Sequence, residues 1–586
     1  MDAKVSMKEA FSNISNKVSK KKIIRNGKTE SNPIREFFWN YPNYIIRIWK
    51  LTSPLSTIFI FLILGLALFS FLRSDTFAKK VSSKGNNYYV EGRVGAISTF
   101  NPLFSNQNDI DKAIQELVFN GYAKGANTGE IQPGIATSWD ITDKGKVYIF
   151  DIALDHTWSD GTALTMDDVY FTFNTAIVLS KEQGYDTVAS GLVDVEIEIV
   201  DHDTIKFVLP ETNSVFPELA SIYIVPKHIL EEVSLYEMPF DRFSRNPVGS
   251  GAYRIYRSEP NIVYLQSSEY YQPTPNISNI VFRVYSNIEK LESAFRNGLL
   301  DAVLLPNNSN ADFVKEYASF NSRRLDLPYR QRILFFNLRK EKLQNDSLRK
   351  GMSMLIDKEK LIEESGITGE ISTGPIYEKS WAYSEDVDYP TYNPEEATKI
   401  LKEGGYSRNE TNGYFESEDG KLLTFTISYL DNEVNQQMLN TLLKLLSDEG
   451  IIINLEPLTY SQLTQEILAT RNFEILMYEI ELTVDPDQYN LWHSLQKDYP
   501  NLNLSGYEFS RVDIILEEAR RESDKSKRKE SYTLFPKYLI ADSPAIFLYR
   551  PSYLYVVRNG VSGIEYDGIV RLEDIYMNIC TWGFSN

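Results

Sequence analysis

The side chains that could carry out catalysis are few in type and far apart along the chain. A single cysteine, Cys580, excludes an intrachain disulfide and any CxxC metal site. The four histidines never stand at HExxH spacing, and both the GxSxG nucleophile elbow and the GxxxxGK[ST] phosphate loop are missing from the sequence. We therefore predict no enzyme, no resident metal or cofactor, and no ATP hydrolysis by this chain. The histidines are His156, His202, His228 and His493.

Carboxylates and aromatic rings are abundant, and both suit a binding cleft better than a catalytic centre. With 80 Asp and Glu, chance acid pairs are expected, so a glycosidase-type pair is not indicated by composition. The 37 Tyr, 31 Phe and 7 Trp offer rigid contact surface with few rotatable bonds. These residue types therefore fit a protein that binds a ligand, and composition does not indicate which ligand.

Local signals indicate the elements that position such residues. Thr165 and Asp168 have the spacing of a capping box before a helix at 169–179. Ser286 is expected to cap a second helix that stops at Gly298, and Asn393 a third that stops at Gly404. Strand patterns alternate with these helices, for example at 146–153, 301–305 and 451–455. The alternation predicts a mixed α/β protein.

Composition and charge bound the class of protein. Hydrophobic residues make up 42% and charged residues 24% of 586, which is typical of a packed globular protein. The net charge of −19 disfavours non-specific binding to nucleic acid. Residues 1–50 nevertheless hold eleven Lys and Arg against four Asp and Glu, a net +7, so the remainder carries −26.

An uncharged apolar segment follows the basic tail. Leu55–Leu72 has 18 residues, which as a helix would cover about 27 Å, close to the thickness of the hydrocarbon core. The basic flank predicts a cytoplasmic N-terminus. We therefore predict a single-pass cell-membrane protein with a cytoplasmic tail at 1–50, a transmembrane helix at 51–73 and a polar tether at 74–86. A cleaved signal peptide is the alternative, with a longer basic region and apolar run than usual.

A series of motifs, in order along the chain, resembles the motifs of a known family. The sequence is similar to the peptide/nickel-type (family 5) extracellular solute-binding proteins of ABC importers, from about residue 88 to the end. The stretches that carry the resemblance are Phe100-Asn-Pro-Leu103, Gln132–Trp139, Asp143–Phe150, Trp158-Ser-Asp-Gly161, Thr165–Val169, Pro247–Tyr253, Phe295–Asp301 with Phe336–Asp357, and Tyr392–Ala397. Gly249, Gly251, Tyr253, Trp158 and Asp160 are expected to be structural.

The resemblance implies a two-lobed clamshell of the large peptide-binding type, in which the chain crosses the hinge twice. Lobe I is expected at 87–325 and again at 545–586, and lobe II at 326–544. A ligand that contacts both lobes stabilises the closed form by shifting a population. The implied partners are a peptide ligand and the permease subunits of an ABC importer whose ATPase is a separate chain. We expect the protein to be a monomer.

The resemblance also indicates where the amino end of a peptide binds. Relatives that bind free amino termini have an Asp upstream of an Asp-Pro turn, and here the turn is Asp485-Pro-Asp487. Leu482 stands at the expected position, beside Glu481. We therefore predict that Glu481, Asp485 or Asp487 binds a cationic group. The alternative is that these acids only stabilise the turn.

Aromatic residues are predicted to form the walls of the cleft. Trp381 lies in a segment that resembles a cleft loop of the family, and Tyr478 and Trp492 are further candidates. Phe100 and Asn101 are candidates for the lobe I side, with packing beside the first strand as the alternative. An Arg that dipeptide binders use has no counterpart at 429–433, so a longer peptide is favoured.

Four alternative functions remain open, and the first two use the same fold. Nickel or metallophore binding would need histidines in the cleft, and only His493 is near the predicted loop. Oligosaccharide binding is compatible with the aromatic content. A membrane-tethered ligand sensor and an external hydrolase are two further alternatives from other classes.

Overall fold

In the computed structural model, the described residues are 88–104, 108–125, 131–183, 187–188, 190–192, 194–306 and 309–585. They belong to a unit that spans Val81–Asn586. The predicted basic tail, membrane span and tether all lie outside the described residues. Among the residues that are described, no helix combines the length and the apolar character needed to cross a bilayer.

The strands and helices of the described residues alternate along the chain, as the sequence predicts. The strands are β1 Tyr88–Val94, β2 Ala123–Gly125, β3 Ile131–Pro133, β4 Ala136–Thr142, β5 Val147–Ile152, β6 Glu196–Ile199, β7 Thr204–Val208, β8 Tyr253–Glu259, β9 Ile262–Ser267, β10 Asn279–Tyr285, β11 Ala302–Pro306, β12 Phe320–Asp326, β13 Arg330–Phe336, β14 Gly369–Ile371, β15 Tyr406–Arg408, β16 Phe415–Ser417, β17 Thr424–Leu430, β18 Ile452–Leu458, β19 Ile475–Glu481, β20 Ala545–Arg558, β21 Val561–Ser562 and β22 Gly583–Phe584. The α-helices are α1 Asp109–Val118, α2 Met166–Gln183, α3 Phe216–Leu219, α4 Lys227–Leu230, α5 Ile288–Arg296, α6 Asp346–Met354, α7 Lys358–Ser365, α8 Pro394–Glu403, α9 Glu433–Asp448, α10 Tyr460–Gln462, α11 Tyr489–Trp492, α12 Ser510–Arg521 and α13 Lys525–Asp542.

A mixed sheet of twelve strands forms the framework within the described residues. Its strand order is β18-β17-β19-β13-β20-β11-β1-β10-β9-β8, and β12 and β14 pair with β20 in addition. Residues 545–549 of the long strand β20 pair with β13, whereas residues 552–558 pair with β12 and 553–557 with β11. β20 is buried on both faces, which its nearly continuous apolar sequence requires. A separate four-stranded sheet has the order β4-β5-β7-β6.

The buried apolar side chains divide into two sets, and each set includes one end of β20. Two clusters contain residues 89–327 together with residues 555–582. Two others contain residues 333–549. We call residues 88–327 with 553–585 the flanking region, and residues 330–549 the central region.

Helix starts follow the capping signals, with one correction. Asn393 Oδ1 accepts a hydrogen bond from the Glu396 amide at 3.1 Å, and α8 begins at Pro394 as predicted. α5 begins at Ile288 and is capped by Asn287, so the assignment of the cap to Ser286 was wrong. Asn287 is the cap because its side-chain oxygen accepts a hydrogen bond from the Lys290 amide at 3.1 Å.

A glycine-rich loop packs closely against the end of α1. A Cβ on Gly249 would lie 2.0 Å from the Val118 carbonyl oxygen, and one on Gly251 would lie 2.6 Å from the Val118 carbonyl carbon. The Gly251 amide donates to that same carbonyl oxygen at 2.7 Å. These contacts agree with the structural role predicted for both glycines. The loop thereby fixes α1, the helix that carries Asp109 and Lys112.

We predict that Gly249→Ala destabilises the protein by about 1–3 kcal/mol, because the new Cβ forces the loop away from α1. Urea denaturation of the two proteins measures the difference. Gly560→Ala is the matched control, since a Cβ there meets nothing within 4 Å. Equal loss in both variants would contradict the prediction.

Candidate functional site

An arginine of the central region is bound by a carboxylate of the flanking region. Arg330, at the start of β13, donates from Nη1 and Nη2 to the two carboxylate oxygens of Asp109 at 2.9 and 2.7 Å. Its side chain is only 5% exposed. Burial alone would raise the pKa of Asp109, but Arg330 lowers it below its ordinary value. This bidentate pair therefore connects the two regions with a charge-assisted contact.

Local structure explains why these groups meet. α1 begins after Asn108, whose side-chain oxygen accepts from the Ile110 and Asp111 amides. Asp109 and Lys112 are three residues apart on this helix and so share one face. In the central region, the β13–β19 register pairs Arg330 with Glu481. Side chains of directly paired strand residues lie on the same face of a sheet.

Glu481 is the sequence-predicted residue at the centre of this network. Its Oε2 accepts from Lys112 Nζ at 2.5 Å and lies 3.5 Å from Arg330 Nη2. Burial would raise the pKa of Glu481, but Lys112, Arg330 and Arg571 lower it well below the ordinary range. Its Oε1 is buried and has no hydrogen-bond partner among the described residues. One oxygen of an ionised carboxylate is therefore available to a donor.

A second carboxylate of the same kind comes from the flanking region. Glu573 lies in a short 3₁₀ turn, Leu572–Tyr576, and is 8% exposed. Its Oε2 is also buried without a partner among the described residues. Burial first, and the negative charge of Glu481 second, raise the pKa of Glu573 to about 7. Lys112 interacts electrostatically with both carboxylates. The cluster therefore holds two carboxyl oxygens that have no hydrogen-bond partner among the described residues, one from each region.

The turn after β19 is held against the flanking region by backbone contacts. Glu218, in α3, accepts from the Val484 amide at 3.0 Å and from the Asp485 amide at 3.1 Å. Arg571 lies 3.7 Å from the same carboxylate. Farther along the interface, the Ser214 amide donates to the Arg520 carbonyl at 2.8 Å. In this conformation the two regions therefore contact each other along several elements.

The other two predicted acids are used within the central region. Asp485 receives two hydrogen bonds from Arg528, at 2.7 and 2.8 Å. Asp487 accepts hydrogen bonds from Arg520, and the shortest joins Arg520 Nη2 to Asp487 Oδ2 at 2.6 Å. The alternative interpretation, that these acids stabilise the turn, accounts for both sets of contacts.

The predicted aromatic residues lie in different surroundings. Trp381 is half-buried, with its ring edge-to-face to Tyr532 at 5.8 Å and Arg528 Cζ at 5.6 Å from the ring centroid. Tyr478 is half-buried in β19. Trp492, Phe100 and Asn101 have no exposed surface, so in this conformation they present nothing to a ligand. Packing, the alternative given for Phe100 and Asn101, is consistent with that burial.

Several residues of the network carry no local sequence signal. Lys112 and Glu481 are 369 residues apart, and Arg330 and Glu573 belong to two further segments. Only the helix cap that begins α1 could have drawn attention to Asp109. Their meeting depends on strand register and on the packing of α1 against the turn at 572–576.

We predict that Glu573 makes the protein less stable as the pH rises. Between about pH 4.5 and pH 7 the folded protein keeps the Glu573 proton, because its pKa is raised to about 7, while the unfolded chain has lost it. Asp574, with its pKa raised to about 6, acts in the same direction. The folded state therefore binds more protons in this window, and the Glu573 contribution falls by about 2–3 kcal/mol on going to pH 7.5.

Urea denaturation at pH 5.0 and pH 7.5 measures this loss in the original protein and in Glu573→Gln. The difference between the two proteins isolates the contribution of Glu573 from other titrating groups. Glutamine cannot ionise, so the variant should gain relative stability at pH 7.5. The same pH dependence in both proteins would refute the assignment.

Comparisons with known proteins agree with this architecture. The family model for bacterial extracellular solute-binding proteins, family 5 Middle, matches residues 130–501. The oligopeptide-binding protein AppA of Bacillus subtilis (strain 168) is 25% identical over 529 residues, which cover 87% of this chain and 94% of that protein. The structure of AppA from Bacillus subtilis with a nonapeptide has a TM-score of 0.74 and 22% identity, and the match covers 85% of this chain and 99% of that one.

A solved structure with a different ligand is equally similar. NikZ from Campylobacter jejuni in complex with Ni(L-His) has a TM-score of 0.74 and 23% identity, covering 85% of this chain and all of that one. At this level of identity the similarity shows the fold and leaves the ligand open. The predicted mixed α/β fold of the periplasmic-binding-protein type is thereby confirmed.

Proposed function

Because this chain belongs to the bacterial extracellular solute-binding proteins of family 5, we propose that it captures oligopeptides between two lobes and delivers them to the permease of an ABC importer. The relative from Bacillus subtilis is named an oligopeptide-binding protein, which supports this choice of ligand. Lobe I would consist of residues 87–325 and 545–586, and lobe II of residues 326–544. The protein itself is a binding protein and not an enzyme, in keeping with the family.

The observation that carries the proposal is the pair of unpaired carboxylate oxygens. Glu481 Oε1 and Glu573 Oε2 are buried, and neither has a donor among the described residues. A buried acceptor without a donor is costly, and the cost is higher for a charged group. An α-ammonium group has three N–H donors and a positive charge, so it can satisfy both oxygens. We assign the amino end of the peptide to this position.

The placement of the two glutamates couples binding to closure. Glu481 belongs to the central region and Glu573 to the flanking region. An ammonium group that contacts both is bound more tightly when the regions are together. Ligand would therefore shift the population toward the closed form. The permease would recognise that form.

Membrane attachment is a separate part of the proposal. We propose that residues 51–73 cross the cell membrane once, with residues 1–50 in the cytoplasm and the binding domain outside. The charge asymmetry and the apolar run support this topology. In bacterial membranes, the protein should keep its full-length mass and should stay in the membrane fraction after extraction with alkaline carbonate. Release of a chain shortened near residue 78 would instead indicate a cleaved signal peptide.

The first experiment is mass spectrometry of the molecules released when the purified full-length protein is denatured. A heterogeneous set of peptides with free amino ends would support the proposal. Calorimetry with tri- to octapeptides, nickel with L-histidine, and oligosaccharides then compares the rival ligands on the same protein. Saturable binding of nickel–histidine or a sugar, without peptide binding, would overturn the peptide assignment and leave the fold unaffected.

A further inference from the structure

One buried arginine has two N–H donors, on one edge of its guanidinium group, that donate to no acceptor among the described residues. Arg550 lies in β20, and its side chain is 1% exposed. Its Nη1 donates to Glu378 Oε2 at 3.0 Å. Its Nε and Nη2 are both buried and have no hydrogen-bond partner among the described residues. Two parallel donors of a permanent cation are therefore left unpaired.

This edge has the geometry that binds a carboxylate side-on. The same protein contains the filled arrangement: Arg520 donates from Nε to Asp487 Oδ1 at 3.1 Å and from Nη2 to Asp487 Oδ2 at 2.6 Å. A planar carboxylate matches this fork because it offers one oxygen to each of the two donors.

Buried arginines elsewhere in the protein show how unusual these two unpaired donors are. Arg349, also buried, uses Nε, Nη1 and Nη2 on backbone carbonyl oxygens. Arg528 is satisfied by Asp485, a carbonyl oxygen and Tyr532. Among buried atoms of the described residues, Arg283 and Arg471 each leave only Nε unpaired. Buried polar groups in proteins nearly always have partners, so a doubly unpaired guanidinium points to a ligand.

The surroundings of Arg550 favour an anion. Lys358 Nζ donates to the Ser372 carbonyl oxygen at 3.0 Å, and burial, with a smaller effect of Arg550, lowers the pKa of Lys358 to about 8. Tyr389 also interacts electrostatically with Arg550. Glu378 interacts with both cations, and Glu370 acts on Arg550 but pairs with Lys379 at 3.2 Å. Three cations and two carboxylates therefore leave one positive charge in excess.

The position of Arg550 connects it to the amino-end site. Its Cζ lies 5.1 Å from the Tyr377 ring, and Tyr377 contacts Tyr329 edge-to-face at 6.1 Å. The Tyr329 carbonyl oxygen accepts from the Leu482 amide at 2.6 Å, next to Glu481. A chain of direct contacts through Tyr377 and Tyr329 therefore links Arg550 to the residue next to Glu481.

We propose that the Nε–Nη2 edge of Arg550, with Lys358 and Tyr389 beside it, binds a carboxylate of the ligand. This inference rests on the proposed peptide-binding function and adds a second charged anchor to it. The ligand would then be a zwitterion, with its ammonium group at Glu481 and Glu573. A peptide supplies the carboxylate from its C-terminus or from an acidic side chain.

The test compares three probes on the full-length protein: tetraalanine with a free carboxylate, tetraalanine amide, and the amide with one alanine replaced by glutamate. The variants are Arg550→Lys and the control Arg349→Lys. We expect the original protein to prefer a carboxylate-bearing probe over tetraalanine amide by about 10- to 100-fold. Arg550→Lys should reduce the preference to within about threefold, because lysine has no fork. Arg349→Lys should keep it.

Each outcome is decisive. Preference for free tetraalanine assigns the C-terminal carboxylate, and preference for the glutamate-containing amide assigns an acidic side chain. Equal affinity for all three probes would overturn the carboxylate site while leaving peptide binding intact. If no peptide binds, acetate and succinate are titrated in a thermal-shift assay: saturable stabilisation that Arg550→Lys abolishes supports the site alone, and no such stabilisation refutes it.

A second variant, Arg550→Met, tests whether the loss of preference in Arg550→Lys comes from misfolding. This variant removes a buried charge, and Glu378 remains partly exposed to water, 30% at its side chain. It should therefore fold, and its affinities for free tetraalanine and for tetraalanine amide should lie within about threefold of each other. A preserved preference in a folded Arg550→Met protein would contradict the proposal.

Discussion

Replacing Glu481 with glutamine is expected to weaken the binding of a peptide with a free amino terminus by about 100-fold. The carboxylate has one buried oxygen without a donor, and a charge-assisted hydrogen bond to it contributes about 3 kcal/mol at most. Glutamine keeps the shape and removes the charge. Calorimetry of the original protein and the variant with the same peptide measures the difference.

Two controls separate this effect from general damage. An N-acetylated peptide lacks the ammonium group, so it should bind the original protein weakly and Glu481→Gln equally weakly. Glu479→Gln is the matched variant, because Glu479 lies on the same strand and its oxygens contact Arg332 at 2.8 Å and Arg330 at 3.6 Å. It should keep the preference for a free amino terminus. A Glu481→Gln protein that retains the preference would exclude Glu481 as the anchor.

Replacing Arg330 with methionine is expected to destabilise the protein by about 3–5 kcal/mol. The guanidinium is 5% exposed and binds both oxygens of Asp109. Without it, the negative charges of Asp109 and Glu481 remain close together and repel each other, and Lys112 is the nearest remaining cation. Removing one partner of a buried ion pair leaves an uncompensated charge. Urea denaturation at pH 7.5 measures the loss.

An exposed ion pair provides the comparison. Arg324 lies on β12 with its side chain 44% exposed and contacts Asp326 at 2.6 Å. Arg324→Met should cost less than about 1 kcal/mol, because water and salt screen exposed pairs. The double variant Arg330→Met with Asp109→Asn should recover part of the loss, since it removes the uncompensated carboxylate. Equal effects of the two arginine variants would argue against a buried pair at Arg330.

Part of the candidate site could be inferred from sequence, because one of its residues lies in a recognisable stretch. Glu481 precedes the Asp-Pro turn, and the resemblance to the family directed attention to it. Asp485 and Asp487 were equally good candidates at that stage. The structure separates them by their neighbours: arginines of α12 and α13 occupy both. Those helices follow the turn by more than twenty residues, so no local pattern relates them.

Glu573, Lys112 and Arg550 could not have been selected from the sequence. Each is one charged residue among many, and its role depends on which atoms remain without a partner after folding. Glu573 becomes notable because burial raises its pKa to about 7. Arg550 becomes notable because it lies in a strand that is buried on both faces, and one acid accepts a hydrogen bond from it.

The sequence by itself determined the alternation of strands and helices, the start of α8 and the family to which the chain belongs. These properties depend on neighbours within a few residues: caps, turn glycines and apolar periodicity act locally. Tertiary structure decided which charges are paired. The register of β13 between β19 and β20 places Arg330 beside Glu481 and brings Arg550 under the loop at 372–378. Pairing across hundreds of residues is set by packing and burial, because only there do desolvation and hydrogen-bond geometry select one partner from many.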